Sequence, residues 1–157
     1  MKDISLMVED NKKYNYRVGL LIQNKDEVFI EFNPKFDFTT LPGGRIKILE
    51  SSKEALKREI KEETEVEIDF DKIEIKAIIE NFFEKNEIKC HEVYILYKLE
   101  VNDKKVFYDN MKNIDSTYSY YKWISKNKLK EARLLPEILI DIINTNGFQN
   151  VIVNELK

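Results

Sequence analysis

Three glutamates, Glu59, Glu62 and Glu63, stand at i, i+3 and i+4, a short way after the glycine pair Gly43-Gly44. If the segment is helical, all three carboxylates project from one ridge. Like charges at that spacing destabilise a helix by about 0.2–0.5 kcal/mol per pair. Glu59 and Glu63 have no Lys or Arg three or four residues away, and Glu62 has only Arg58. The ridge therefore calls for a partner from elsewhere, and a divalent metal is the natural one.

The helix is well signalled. Ser51 and Glu54 form a capping-box pattern, each side chain serving a backbone N–H of the first turn. Ala55, Leu56 and Ile60 supply an apolar stripe beside the carboxylates, and Lys57, Arg58, Lys61 and Glu65 take the wet arc. Ahead of it, Leu41-Pro42-Gly43-Gly44 reads as a strand end and a tight turn. Glycines there permit backbone angles closed to other residues and let a ligand come close.

These residues resemble the signature of the Nudix hydrolases, G-x(5)-E-x(7)-R-E-U-x-E-E-x-G-U, where U is a bulky aliphatic. Gly44, Glu50, Arg58, Glu59, Ile60, Glu62, Glu63 and Val66 fall on pattern, and Glu65 stands where the family has glycine. The resemblance implies hydrolysis of a pyrophosphate bond in a nucleoside diphosphate linked to another moiety. A nucleotide sugar, an ADP-ribose-like compound or a nucleoside triphosphate would fit. It also implies magnesium or manganese held by Glu59, Glu62 and Glu63. Glu59, Glu62 and Arg58 become the catalytic candidates, with the proton of the attacking water going to Glu59 or Glu62. Gly43, Gly44 and Glu50 form the substrate and phosphate loop, with Glu50 and Arg58 bracing it as a charge pair. Magnesium takes oxygen ligands in near-octahedral geometry, which suits carboxylates plus substrate phosphate. At the position of Glu65 a helix-ending glycine usually adopts the left-handed conformation. A glutamate there costs roughly 1 kcal/mol, or else the helix end is remodelled and Lys61 pairs with Glu65 at i, i+4.

Length bounds the fold. At 157 residues, with 43% hydrophobic and 35% charged residues, the expectation is one globular domain over 1–157. A net charge of −3 argues against a general polyanion-binding surface, so a long nucleic acid is a poor partner and a small nucleotide a good one. The only cysteine is Cys90, so no internal disulfide can form, which points to a reducing compartment. No apolar run reaches membrane-spanning length, and the start of the chain lacks a secretory hydrophobic core. The expectation is a cytoplasmic monomer or homodimer.

Periodicity and turn residues place strands at residues 16–22 and 28–32, around a turn at Asn24-Lys25-Asp26. Residues 33–40 form a loop. Residues 66–70 suggest a short strand. Two long strands, 73–83 and 88–99, join at Glu84-Lys85-Asn86-Glu87, and residues 106–108 extend that region. Residues 109–118 are a polar loop and 120–124 a strand. Ser125 caps a short helix through Ala132, Pro136 opens another to about Ile143, and residues 148–153 make a last strand. Strands with interspersed helices give an α/β protein. The resemblance sharpens this to a Nudix-type α/β/α sandwich with a mixed β-sheet.

Substrate contacts are less constrained. Phe82, Phe83 and Tyr118, with Tyr120 and Tyr121, could stack on a nucleobase, although core or sheet-surface roles are the commoner fate of such residues. Asp115, in the polar loop, is a candidate further acid, as is Asp109, and loop aspartates commonly just form turns. Glu80 could add a carboxylate. His91 sits between Cys90 and Glu92, and neighbours on a strand point to opposite faces, which argues against a zinc site. Glu92 reads as a solvated strand carboxylate. The proline and tyrosine that accompany particular Nudix substrates are missing, so the substrate stays open. Two readings compete with a hydrolase: a catalytically weak or inactive nucleotide-binding sensor module, and a charged helix on an interaction domain. The intact Glu59, Glu62 and Glu63 argue against the first, and the unpaired Glu59 and Glu63 with the double glycine at the right distance argue against the second.

Overall fold

The computed structural model describes residues 1–156. Long apolar runs fold as two hairpins. β2 (Lys12–Asn24) turns through Lys25 and Asp26 into β3 (Glu27–Phe32). β6 (Ile73–Lys85) returns as β7 (Ile88–Glu100) through Asn86 and Glu87, both at positive φ. Two such residues give the tight turn whose twist matches the strands. β2 lies parallel to β7 and so joins the two hairpins. The remaining strands are β1 (Ser5–Glu9), β4 (Thr39–Thr40), β5 (Gly43–Arg45), β8 (Tyr120–Ser125) and β9 (Gln149–Asn154). Among the described residues they complete a mixed sheet of order β4-β3-β2-β7-β6-β9, with β1 and β5 on β2 and β8 on β3.

One helix covers each face. α1 (Ser52–Thr64) buries Ala55, Leu56 and Ile60 against Val18, Leu20, Phe29 and Tyr97. α2 (Ile138–Ile143) buries Leu139, Ile142 and Ile143 against Leu21, Ile30, Ala77 and Leu96. Alternate residues of β2 thus serve opposite cores, as a two-residue period requires. The protein is an α/β sandwich, as the sequence suggested. No helix among the described residues is long and apolar enough to cross a membrane.

Three local expectations are corrected. Residues 66–70 form no strand; the Asp69 carboxylate accepts the Asp71 N–H at 2.9 Å and starts a 3-10 turn, while Ile68 still buries. Residues 106–108 are a bend rather than a strand. They are pinned by a side chain instead of a ladder: Trp123 Nε1 donates to the Phe107 carbonyl at 2.8 Å. Ser125 makes no capping hydrogen bond, and only a 3-10 turn, Lys126–Lys128, follows it. β1 was not foreseen; its Leu6, Met7 and Val8 are exposed and give no core signal.

Candidate functional site

α1 begins and ends as its sequence demands. Ser51 Oγ accepts the Glu54 N–H, and Glu54 Oε2 accepts the Ser51 N–H at 2.9 Å, closing the capping box. At the other end Glu65 is left-handed, with φ of 63°, and its N–H donates to the Lys61 carbonyl at 2.9 Å. Lys61 pairs with Glu67 rather than Glu65. The strained cap is therefore the real one.

Arg58 organises the loop and the helix together. Its Nε and Nη2 grip both oxygens of Glu50, at 2.7 and 2.9 Å. Its Nη1 reaches Glu59 at 2.7 Å and Glu62 at 3.3 Å, and Nη2 also donates to the Arg45 carbonyl at 3.0 Å. A planar guanidinium with five donors is suited to this. The Arg58 hydrogen bonds, helped by the Lys47 N–H, hold the Glu50 carboxyl below the usual carboxylate range. The sequence had left Glu59 without a cation; its partner is the adjacent residue, reached because the Glu59 side chain bends over Gly44. A Cβ on Gly44 would fall 2.3 Å from the Glu59 carboxyl carbon. Gly43 is constrained differently: its φ is 147°, and a Cβ would meet the Val18 carbonyl at 2.2 Å.

Glu59 and Glu62 line an open polar pocket of about 390 Å³ with Asp3, Asp115, Arg17, Arg45, Lys47 and Arg58. Four acids and four cations suit a ligand carrying both a cation and phosphate charge. Asp115 reaches it because the Ile114 N–H donates to the Glu63 carbonyl at 2.8 Å, tying the polar loop to the end of α1. Arg17 and Arg45 are register partners on β2 and β5. Arg17 Nε is buried without a hydrogen-bond partner. Asp3, Arg17, Arg45 and Lys47 were missed by sequence reasoning. The one signal was an arginine, Arg17, at the start of the apolar run of residues 18–22.

Glu63 corrects the expectation of a single converging ridge. It is buried and does not line the pocket; its Oε2 accepts the Tyr121 hydroxyl at 2.9 Å. Burial, then the nearby charge of Glu31, pushes its carboxyl up to about 8, against the opposing Tyr121 hydrogen bond. Burial also raises the Glu59 carboxyl, with Arg58 working the other way. Among the described residues no group of three or more His, Cys, Asp or Glu side chains is arranged to hold a metal. Glu59 and Glu62 are nonetheless the residues that could do so. Magnesium is commonly held by one or two carboxylates plus substrate phosphates, so an oxygen-only pair at a cation-lined pocket fits it.

The other candidates lie elsewhere. Phe82 stacks on His91 at 4.4 Å, and Phe83 is half-buried on the same strand; neither lines the pocket. Tyr118 is half-exposed under Lys35, 3.9 Å from its ring centroid. Tyr121 belongs to the core, stacked on Phe29 at 5.0 Å. Asp109 accepts the Trp123 N–H at 2.8 Å, a structural contact. Glu92, read as solvated, is buried, and Arg17 and Arg45 offset part of the resulting rise in its pKa.

The NUDIX domain model matches residues 7–141, and the chain belongs to the Nudix family. It is a Nudix pyrophosphohydrolase, of a family that acts on small nucleotide substrates by hydrolysing the pyrophosphate bond of nucleoside diphosphate derivatives and generally uses divalent metal ions. No curated protein matches its sequence. Solved structures similar to it include the mutator MutT protein of Bacillus halodurans, with TM-score 0.67, 16% identity and coverage of 90% of this chain and 91% of that one. The MutT Nudix hydrolase of Burkholderia pseudomallei has TM-score 0.64, 17% identity and coverage of 85% and 98%. The MutT protein of Methanosarcina mazei has TM-score 0.58, 24% identity and coverage of 83% and 91%. At these identities the likeness is one of fold.

Proposed function

We propose that residues 1–157 form one Nudix domain that hydrolyses a nucleoside diphosphate derivative or nucleoside triphosphate with magnesium or manganese. The observation that carries this is the pocket in which Glu59 and Glu62 face Arg17, Arg45 and Lys47. The cations would bind diphosphate oxygens. Glu59 and Glu62 would hold the divalent ion, with Glu63 behind them. When bound, that ion supplies charge to the phosphate oxygens and polarises the attacking water. The water oxygen bonds to phosphorus, the bridging P–O bond breaks, and Glu59 or Glu62 takes the water's proton. Arg58 positions both carboxylates and fixes them to Glu50. Positioning and charge stabilisation are most of what phosphoryl chemistry asks of a protein. The single buried free cysteine, Cys90, supports a cytoplasmic setting. Release of phosphate or nucleotide from a panel of nucleoside diphosphate derivatives and triphosphates, with magnesium and then with excess chelator, tests the reading. Turnover with metal and none with chelator is expected; full turnover in chelator overturns the metal role, and none on any substrate favours the sensor reading.

A further inference from the structure

One edge of the sheet lacks the usual protection. β9 ends the strand order, and among the described residues it pairs only with β6. Natural sheets blunt a free edge with charge, proline, a bulge or brevity. β4 has only two residues, and β1 carries Glu9 and a break in register. β9 has none of these. No residue from Ile142 to Asn154 is charged or proline, in a chain with 35% charged residues, and the register with β6 runs unbroken. Ile152, at the middle of the strand, is 68% exposed.

The inward hydrogen bonds fix the outward groups. The Glu155 N–H donates to the Phe82 carbonyl at 2.8 Å, so by alternation Val151 and Val153 also turn their backbone groups to β6. Asn150, Ile152 and Asn154 turn theirs away from it. The edge closes after Asn154, whose Oδ1 accepts the Leu156 N–H at 3.0 Å. The free segment thus reads Asn150-Val151-Ile152-Val153-Asn154, a palindrome about Ile152. A twofold axis at Ile152 sets a second copy antiparallel, with Ile152 against Ile152, Asn150 against Asn154 and Val151 against Val153. The outward residues then meet in hydrogen-bonded pairs, each pair exchanging both N–H···O bonds.

Charge favours the same arrangement. Lys130, Glu137, Asp141 and Glu155 gather beside Val153, at one end of the strand. Antiparallel pairing keeps the two copies of Glu155 roughly 20 Å apart along the strand, whereas parallel pairing would bring these mainly acidic ends together. An extended peptide of another protein would need no palindrome. We propose that β9 is a dimer contact, two copies of this chain joining their sheets antiparallel about Ile152. β7 and β6 separate β9 from β2, and no residue of β9 lines the hydrolytic pocket. Both pockets therefore stay open, and the inference does not rest on the hydrolytic reading.

Sedimentation equilibrium of the full, metal-free chain over rising concentration tests this. The parent should form a dimer. Ile152→Lys and Ile152→Glu each set like charges against each other at the axis, and each should raise the dissociation constant at least about tenfold. Ile152→Glu should be the more disruptive, since Glu80 is the register partner of residue 152 on β6. Mixed in equal amounts, the two variants should pair again, because an axis at this position sets residue 152 against itself. Ile152→Cys keeps the test open were the charged variants to misfold. Hydrogen-bonded partners lie about 5.5 Å apart at Cα, so a short bismaleimide should join two copies of that variant and leave the parent, whose Cys90 is buried, unjoined. A parent that stays monomeric to millimolar concentration overturns the proposal and leaves the edge to a foreign peptide. So does a dimer that neither charged variant weakens, or an Ile152→Cys chain that the reagent does not join. A mixture of the charged variants, both folded by circular dichroism, that pairs no better than either alone also overturns it.

Discussion

Two ends of one carboxylate ridge behave differently. Glu59 and Glu62 face the wet pocket under Arg58, whereas Glu63, in the same turn of the same helix, is shut in with Tyr121. Helical spacing places three side chains near one another but does not fix where their ends point. Their partners do: Arg58, on the same helix and anchored to Glu50 of the loop, draws two outward, and a core tyrosine across the fold draws the third inward. The outer pair is available to a ligand, while the inner acid joins the loop, the helix and β8 into one unit.

Turnover should separate the two ends most strongly. Glu62→Gln keeps shape but loses charge at the open pocket, and turnover with magnesium should drop at least about 100-fold, or 2.7 kcal/mol of barrier. Its melting temperature should hold or rise slightly, since removing like-charge repulsion gains a few tenths of a kcal/mol. Glu63→Gln should cost about tenfold, or 1.4 kcal/mol, because the amide oxygen still accepts from Tyr121. Steady-state assays of both variants check this. Equal losses would mean that the ridge acts as one unit once metal arrives, and the comparison would be broken.

Stability should read the inner end. Tyr121→Phe leaves the buried Glu63 carboxyl without its hydroxyl donor, at a cost of about 1–3 kcal/mol. A denaturant melt of the metal-free protein measures it. A variant as stable as the parent would show that the Gly43 N–H, which also favours the charged Glu63, holds that carboxyl alone.

The same contrast explains what was legible from sequence. α1, its capping box and the left-handed Glu65 are local matters, and local chemistry announces them. The long strands β2, β6 and β7 were legible because each buries alternate residues in two cores. The Arg17–Arg45 pair, the bridge between Asp3 and Lys47, and the Glu63–Tyr121 bond were not, since each joins segments far apart in the chain. Residues 66–70 look like a strand because apolar and acidic residues alternate there, and residues 106–108 because they are apolar. They satisfy their burial through Ile68 and Phe107 and leave the ladder to others.

The smallest expected effect lies where the two ends meet, at the last turn of α1. Glu65 follows both Glu62 and Glu63 and holds a positive φ that glycine adopts freely. Glu65→Gly should therefore stabilise the metal-free protein by about 1 kcal/mol. In an ordinary helical conformation, glycine would instead destabilise by a similar amount through backbone entropy, so the sign of one thermal melt decides. The exposed Glu65 side chain makes no hydrogen bond or salt bridge among the described residues, so little else is lost with it. If strain at this cap helps set the inward turn of Glu63, relieving it should also narrow the gap in turnover between Glu62→Gln and Glu63→Gln. An unchanged gap on the Glu65→Gly background would assign the split to Arg58 and Tyr121 alone, which is the outcome the hydrogen bonds favour.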